Sequence, residues 1–140
     1  MTERKMSNRQ SLDQQRATSA WQNVKQVDES GNDKLRKQYA ALARKTPANV
    51  QSSGLGQALA FLRAKAGRDR KGGEWTLYQH VSAWVMEQMK QPDNTADQLL
   101  EWVIQQDTAR YRQATAEAMA YLGWLKRLAE AVLPEPSGEE

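Results

Sequence analysis

Residues 108–132 read TARYRQATAEAMAYLGWLKRLAEAV. Tyr111, Ala114, Ala118, Tyr121, Leu122, Leu125, Leu128, Ala129 and Val132 recur at intervals suited to one face of a helix turning roughly 100° per residue. So long a continuous apolar stripe predicts the spine of a helical bundle. Pro134 and Pro136 stop it, and Ser137 to Glu140 reads as a loose tail.

Five further helical segments can be read upstream of this spine. The first covers about residues 8–28, with Leu12, Ala17, Ala20, Trp21, Val24 and Val27 on one side, and Gly31-Asn32 breaks it. A second runs over about 33–45 on Leu35, Tyr39 and Leu42. Thr46-Pro47 has the form of a helix opening, so a third is expected from there through Leu55, Leu59 and Leu62 to about Ala66. Gly67 to Gly73 is a charged loop closed by two glycines. The fourth spans about 74–90, with Tyr78, Val81, Val85 and Met89 inward and Trp75 and Trp84 nearby. After a turn at Pro92-Asp93-Asn94, Thr95 and Gln98 form a capping-box pattern ahead of Leu99, Leu100, Val103 and Ile104. With no strand pattern and no internal repeat, the fold class is all-α. A single bundle of about six helices is expected over residues 9–133, with flexible ends at 1–8 and 134–140.

Composition agrees. The chain has 140 residues, 19 of them Ala and 15 Gln, against one Ile and one Phe. Straight-chain side chains lose little rotamer freedom in a helix, whereas β-branched ones lose more. Leu, Ile, Val and Phe total only 22, but five Trp, four Tyr and five Met supply the apolar surface a folded core needs. The absence of cysteine excludes disulfides and thiolate metal sites. The longest apolar runs, 58–62 and 118–122, are too short to span a bilayer, and the polar start shows no signal peptide. A soluble, cytoplasmic protein with no membrane partner is expected.

Catalytic chemistry is thin. His80 is the sole histidine, and one imidazole cannot form the acid–base pair of a metal-free ribonuclease. A structural helix position explains it better. The carboxylates are scattered; Asp97 and Glu101, one turn apart, read as a solvated face. Gly54-Leu55-Gly56 follows no strand and lacks the third glycine of a dinucleotide loop, so close helix approach is its expected role. No catalytic residue, metal site or cofactor is expected.

Charge is the informative signal. Residues 1–72 hold 15 of the 20 Lys and Arg and 6 of the 17 acids, a net of +9, whereas residues 73–140 are net −6. A solubilising surface normally intersperses the two signs. Lys34, Lys37, Arg44 and Lys45 form a stripe roughly 130° from the apolar side of the second helix. Arg63 and Lys65 follow in the third helix, and Arg68, Arg70 and Lys71 in the loop, whose Gly72-Gly73 suits a segment that orders on a phosphate backbone. Arg9, Arg16 and Lys25 add charge from the first helix. Nucleic acid is the first partner to consider.

The run 39–47 (YAALARKTP) followed by 54–65 (GLGQALAFLRAK) resembles the small helical subunit of the type III-B CRISPR effector, the Cmr complex. Arg16-Ala17, Tyr111-Arg112, Thr115, Glu117-Ala118 and Trp124-Leu125-Lys126-Arg127 agree with that family, and the resemblance covers about residues 10–132. Ser53 departs from the Asn expected before the Gly-Leu pair. The resemblance implies a non-catalytic subunit, stacked in several copies along the guide-carrying backbone subunits and helping hold single-stranded target RNA against the guide RNA in antiviral defence. Sequence would be read by base pairing and backbone by protein. Candidate phosphate contacts are Arg16, Lys37, Arg44, Lys45, Arg63, Lys65 and Arg112. Arg112, Lys126 and Arg127 could instead serve a partner subunit, while Gly54, Leu55, Phe61 and Trp124 are expected to be structural. A freestanding helical nucleic-acid-binding regulator and the equivalent small subunit of a type III-A complex are the alternatives.

Overall fold

The computed structural model describes residues 10–91 and 96–135. Among the described residues six helices follow one another: α1 Leu12–Asp28, α2 Asp33–Ser53, α3 Leu55–Ala66, α4 Gly73–Gln88, α5 Leu99–Val103 and α6 Thr108–Val132. No strand occurs among the described residues. The anticipated turn at Pro92-Asp93-Asn94, the Thr95 cap and most of both expected flexible ends lie outside them.

α2, α4 and α6 form the centre. α1 packs on α6 and, less, on α2; α3 packs on α4 and α2. α1 and α3 therefore cover different parts of that centre. Tyr39, Tyr78 and Tyr121, one from each central helix, are fully buried, with Leu77, Leu122 and Leu125 beside them. Trp84 stacks on Tyr121 at 5.1 Å between centroids. Each tyrosine also finds a polar partner: Tyr39 meets His80 Nδ1 at 2.8 Å, Tyr78 donates to the Asp97 carbonyl, and Tyr121 Oη lies 2.8 Å from Ser19 Oγ. Large rings thus pack among the Leu and Val of the core without orphaning their hydroxyls.

The helix break expected at Thr46-Pro47 is not there. α2 runs through Pro47 to Ser53. Pro47 lacks an N–H for the Ala43 carbonyl, but Ala43, Thr46 and Val50 are all buried, and packing of that face holds the helix together. Thr46 Oγ1 donates back to the Leu42 carbonyl at 2.7 Å, so its hydroxyl is satisfied inside the helix instead of capping a new one. The chain turns at Gly54, where φ is +91°. A side chain strains that conformation, which is why glycine belongs there. Gly56, by contrast, is a close approach as anticipated: its N–H donates to Tyr111 Oη at 2.8 Å.

α1 begins at a full capping box, Ser11 with Gln14, a signal not picked out in the sequence. The short α5 is anchored from α4, where Ser82 Oγ donates to the Ala96 carbonyl and accepts from the Leu99 N–H.

Candidate nucleic-acid interface

The basic half of the sequence does not become one basic surface. Arg16 is drawn into the fold: its guanidinium donates to both oxygens of Glu117, at 2.6 and 2.9 Å, and to Asp13 at 3.1 Å. Its side chain is 17% exposed and that of Glu117 is 12% exposed. The Arg16 hydrogen bond, with a second from Trp84, holds the Glu117 carboxyl below its ordinary range. Arg16 thus clamps α1 to α6. Arg63 is also engaged, donating to Glu101 at 3.1 Å and to Tyr78 at 3.3 Å and lying over the Tyr78 ring. Arg36 is shared between Asp28 and Asp33.

The lysines are different. Lys34, Lys37 and Lys45 are exposed along α2, and none has an ion-pair partner among the described residues. Arg44 is exposed on the same helix but borders a recess of about 230 Å³ that also contains Glu130 and Glu135. Lys65 extends over the Phe61 ring at 6.0 Å. Arg112 is exposed on α6, one residue from Tyr111, which meets the start of α3. Lys34 borders the α3–α4 loop at the other end of α2. The 21 residues of α2 separate these ends by roughly 30 Å. Arg112 and Lys34 therefore lie towards opposite ends of α2.

The α3–α4 loop is pinned. The Arg70 guanidinium stacks on Trp75, 3.9 Å from the ring centroid, and donates to the Gly67 carbonyl. Asp69 accepts from the Lys71 N–H, and Gln38 on α2 accepts from the Gly73 N–H at 2.7 Å. A Cβ on Gly73 would lie 2.9 Å from Gln38 Cγ. The expectation of a loosely hinged Gly72-Gly73 is therefore corrected: Gly73 is the first residue of α4, small so that α2 can approach. Lys71 is held on the surface beside Lys34.

His80 stands on α4 with its Nδ1 2.8 Å from Tyr39 Oη. Burial lowers its pKa to about 4, so it is neutral at pH 7. No group of three or more metal-ligating side chains occurs among the described residues, and no described helix is long and apolar enough to cross a membrane.

Sequence reasoning missed the exposed apolar residues. Leu12, Trp21, Phe61 and Ile104 are 43–63% exposed. Leu12 and Trp21 belong to α1. Phe61 belongs to α3, and Ile104 lies near Gly56 at the start of α3. The sequence places Trp21 on an inward face and gives Phe61 a structural role; both stand in solvent. Periodicity cannot separate an apolar residue turned to the core from one left on the rim of the same stripe.

The molecule is thus a small all-helical protein with exposed lysines along α2 and single exposed apolar side chains on α1, on α3 and beside Gly56. The chain belongs to the family described as CRISPR-associated protein (Cas_Cmr5), whose model matches residues 12–132. It is a small subunit of the type III-B Cmr effector, a family whose members assemble with other Cmr subunits. Its fold is similar to the crystal structure of a CRISPR-associated Cmr5 family protein from Thermus thermophilus. The two share 25% identity at a TM-score of 0.70, over 89% of this chain and 98% of that one.

Proposed function

We propose that the chain is a non-catalytic element of the Cmr effector that stacks in several copies beside the backbone subunits. There it holds single-stranded target RNA against the guide through phosphate contacts that do not depend on sequence. The observation that carries this reading is the separation of surfaces. Lys34, Lys37 and Lys45 are exposed along the central α2, with Lys71 of the adjoining loop beside Lys34, and the exposed apolar side chains belong to other elements.

A head-to-tail stack needs two different, complementary patches. α1 offers Trp21 beside the exposed acid Glu29, with Leu12 and Asp13 at its other end; α3 offers Phe61 with the exposed bases Lys65 and Arg68. Apolar surface meets apolar surface, and the rims carry opposite charge. Repetition along a stack multiplies phosphate contacts that are weak singly. Arg63, Lys65 and Arg112 lie away from the lysine face and suit partner contacts better, and Arg16 serves the fold.

The test is Lys34→Ala, Lys37→Ala and Lys45→Ala together in the assembled complex, with target affinity measured against salt. Binding should weaken for unrelated target sequences alike. The log–log salt slope should fall by about 2, three phosphates at roughly 0.7 each for a single strand. Unchanged affinity at low salt would show that RNA does not use this face.

A further inference from the structure

A recess of about 340 Å³ opens between the end of α1, the start of α2 and α4. Val27 and Leu35 supply aliphatic wall, Thr76 and His80 the α4 side, and Gln26 and Lys71 the rim. A second recess, of about 210 Å³, adjoins it through Asn32, Leu35 and Lys71 and carries Lys34 and Asp69. Asp69 is turned to its own loop, accepting from the Lys71 N–H at 2.8 Å. The first volume lies at the low end of small-molecule sites, ~300–1,000 Å³.

His80 gives this recess a directed polar group. Burial holds the imidazole neutral and keeps the Tyr39 hydroxyl protonated. Nδ1 is the only acceptor found for that buried hydroxyl, so Tyr39 donates to it and the ring proton sits on Nε2. Nε2 has no protein partner among the described residues, and none of their buried side-chain nitrogens or oxygens is unsatisfied. The Nε2–H therefore reaches solvent through the recess that His80 lines. A fixed neutral donor, an aliphatic wall for a flat ring and ammonium groups at the mouth match the edge of a base, its face and the adjoining phosphates.

We propose that this recess receives one nucleobase of the single-stranded RNA, His80 Nε2–H donating to a carbonyl or ring nitrogen of the base while Lys71 and Lys34 meet the flanking phosphates. The inference rests on the RNA-holding role proposed above and adds base capture to it. One donor and an apolar wall accept any base that presents an acceptor, so the recess would fix the register of the strand without reading its sequence.

The test uses the Cmr complex assembled with this chain and guide RNA, and target RNAs carrying a single 4-thiouridine at each position in turn. A limited set of positions should crosslink to residues bordering the recess. That signal should fall at least tenfold with Gln26→Trp, which fills the recess from an exposed site on α1, and with His80→Phe, which removes the donor. Crosslinks to Lys37 and Lys45, the α2 lysines away from the recess, should persist in both variants. Should His80→Phe fail to fold, Gln26→Trp decides alone. Recess crosslinks that survive Gln26→Trp, or lysine crosslinks with none at the recess, would overturn base capture and leave phosphate binding standing. No crosslink to any part of this chain would overturn both.

Discussion

Replacing Glu117 with Gln should destabilise the protein more than any charge change on the lysine face. The substitution leaves the Arg16 guanidinium in a place only 17% exposed, facing a neutral amide instead of a carboxylate 2.6 Å away. Removing one partner of a buried ion pair costs about 3–5 kcal/mol. Some exposure remains and Asp13 stays within reach of Arg16, so about 2–3 kcal/mol is expected here. For a chain of this length 1 kcal/mol corresponds to about 3 °C, which places the midpoint about 8 °C lower. Arg16→Met should cost a similar amount, and the double variant much less than the sum, with a coupling of about 1.5–2 kcal/mol in a urea-denaturation cycle. The same pair sets the acid response. The Glu117 carboxyl is held below its ordinary range in the fold, so its contribution is present above the unfolded value and is lost as pH falls through the folded one. A coupling below about 0.5 kcal/mol, together with a fall in RNA affinity and salt slope for Arg16→Met, would refute the clamp and restore Arg16 as a phosphate contact.

Gly54→Ala should destabilise by about 1–2 kcal/mol, read as a lower urea midpoint with an unchanged slope, because φ at that position is +91°. His80 is held neutral, so the unfolded chain binds its proton more readily. Its contribution, up to about 3 kcal/mol, is full above pH 6.5 and fades towards pH 4, and His80→Phe should flatten stability over that window. Phe61→Glu should leave the melting temperature within about 2 °C, since the ring is half exposed. It should nonetheless reduce the number of copies retained in purified complex, measured by native mass spectrometry.

The bundle was legible because helical periodicity is a local property. The α6 stripe, the inward face of α4 and the close approach at Gly56 all follow from spacing within a few turns. Pro47 shows where locality fails. Thr-Pro is a good helix opening on its own terms, but Ala43, Thr46 and Val50 bury one continuous face that spans the proline, and burial outweighs a single missing N–H. Leu12, Trp21 and Phe61 fail for a related reason. Periodicity fixes the direction a residue takes from its own helix axis, while burial depends on whether another helix lies in that direction.

The exposed cations were legible in number and not in place. The net of +9 over residues 1–72 is a sum over sequence, whereas phosphate binding depends on which cations remain after the fold has used its own. Arg16 and Glu117 are 101 residues apart, Arg63 and Glu101 38 apart, and no feature of either helix alone announces those pairs. The arginines closed such pairs because a guanidinium can donate to two partners at once while its stem packs on the core. The α2 lysines, flexible and strongly hydrated, stay in solvent. In an all-helical chain with mixed charge, exposed lysine is therefore the better first marker of a phosphate-facing surface, and arginine beside an unmatched acid elsewhere in the sequence is better read as a strut.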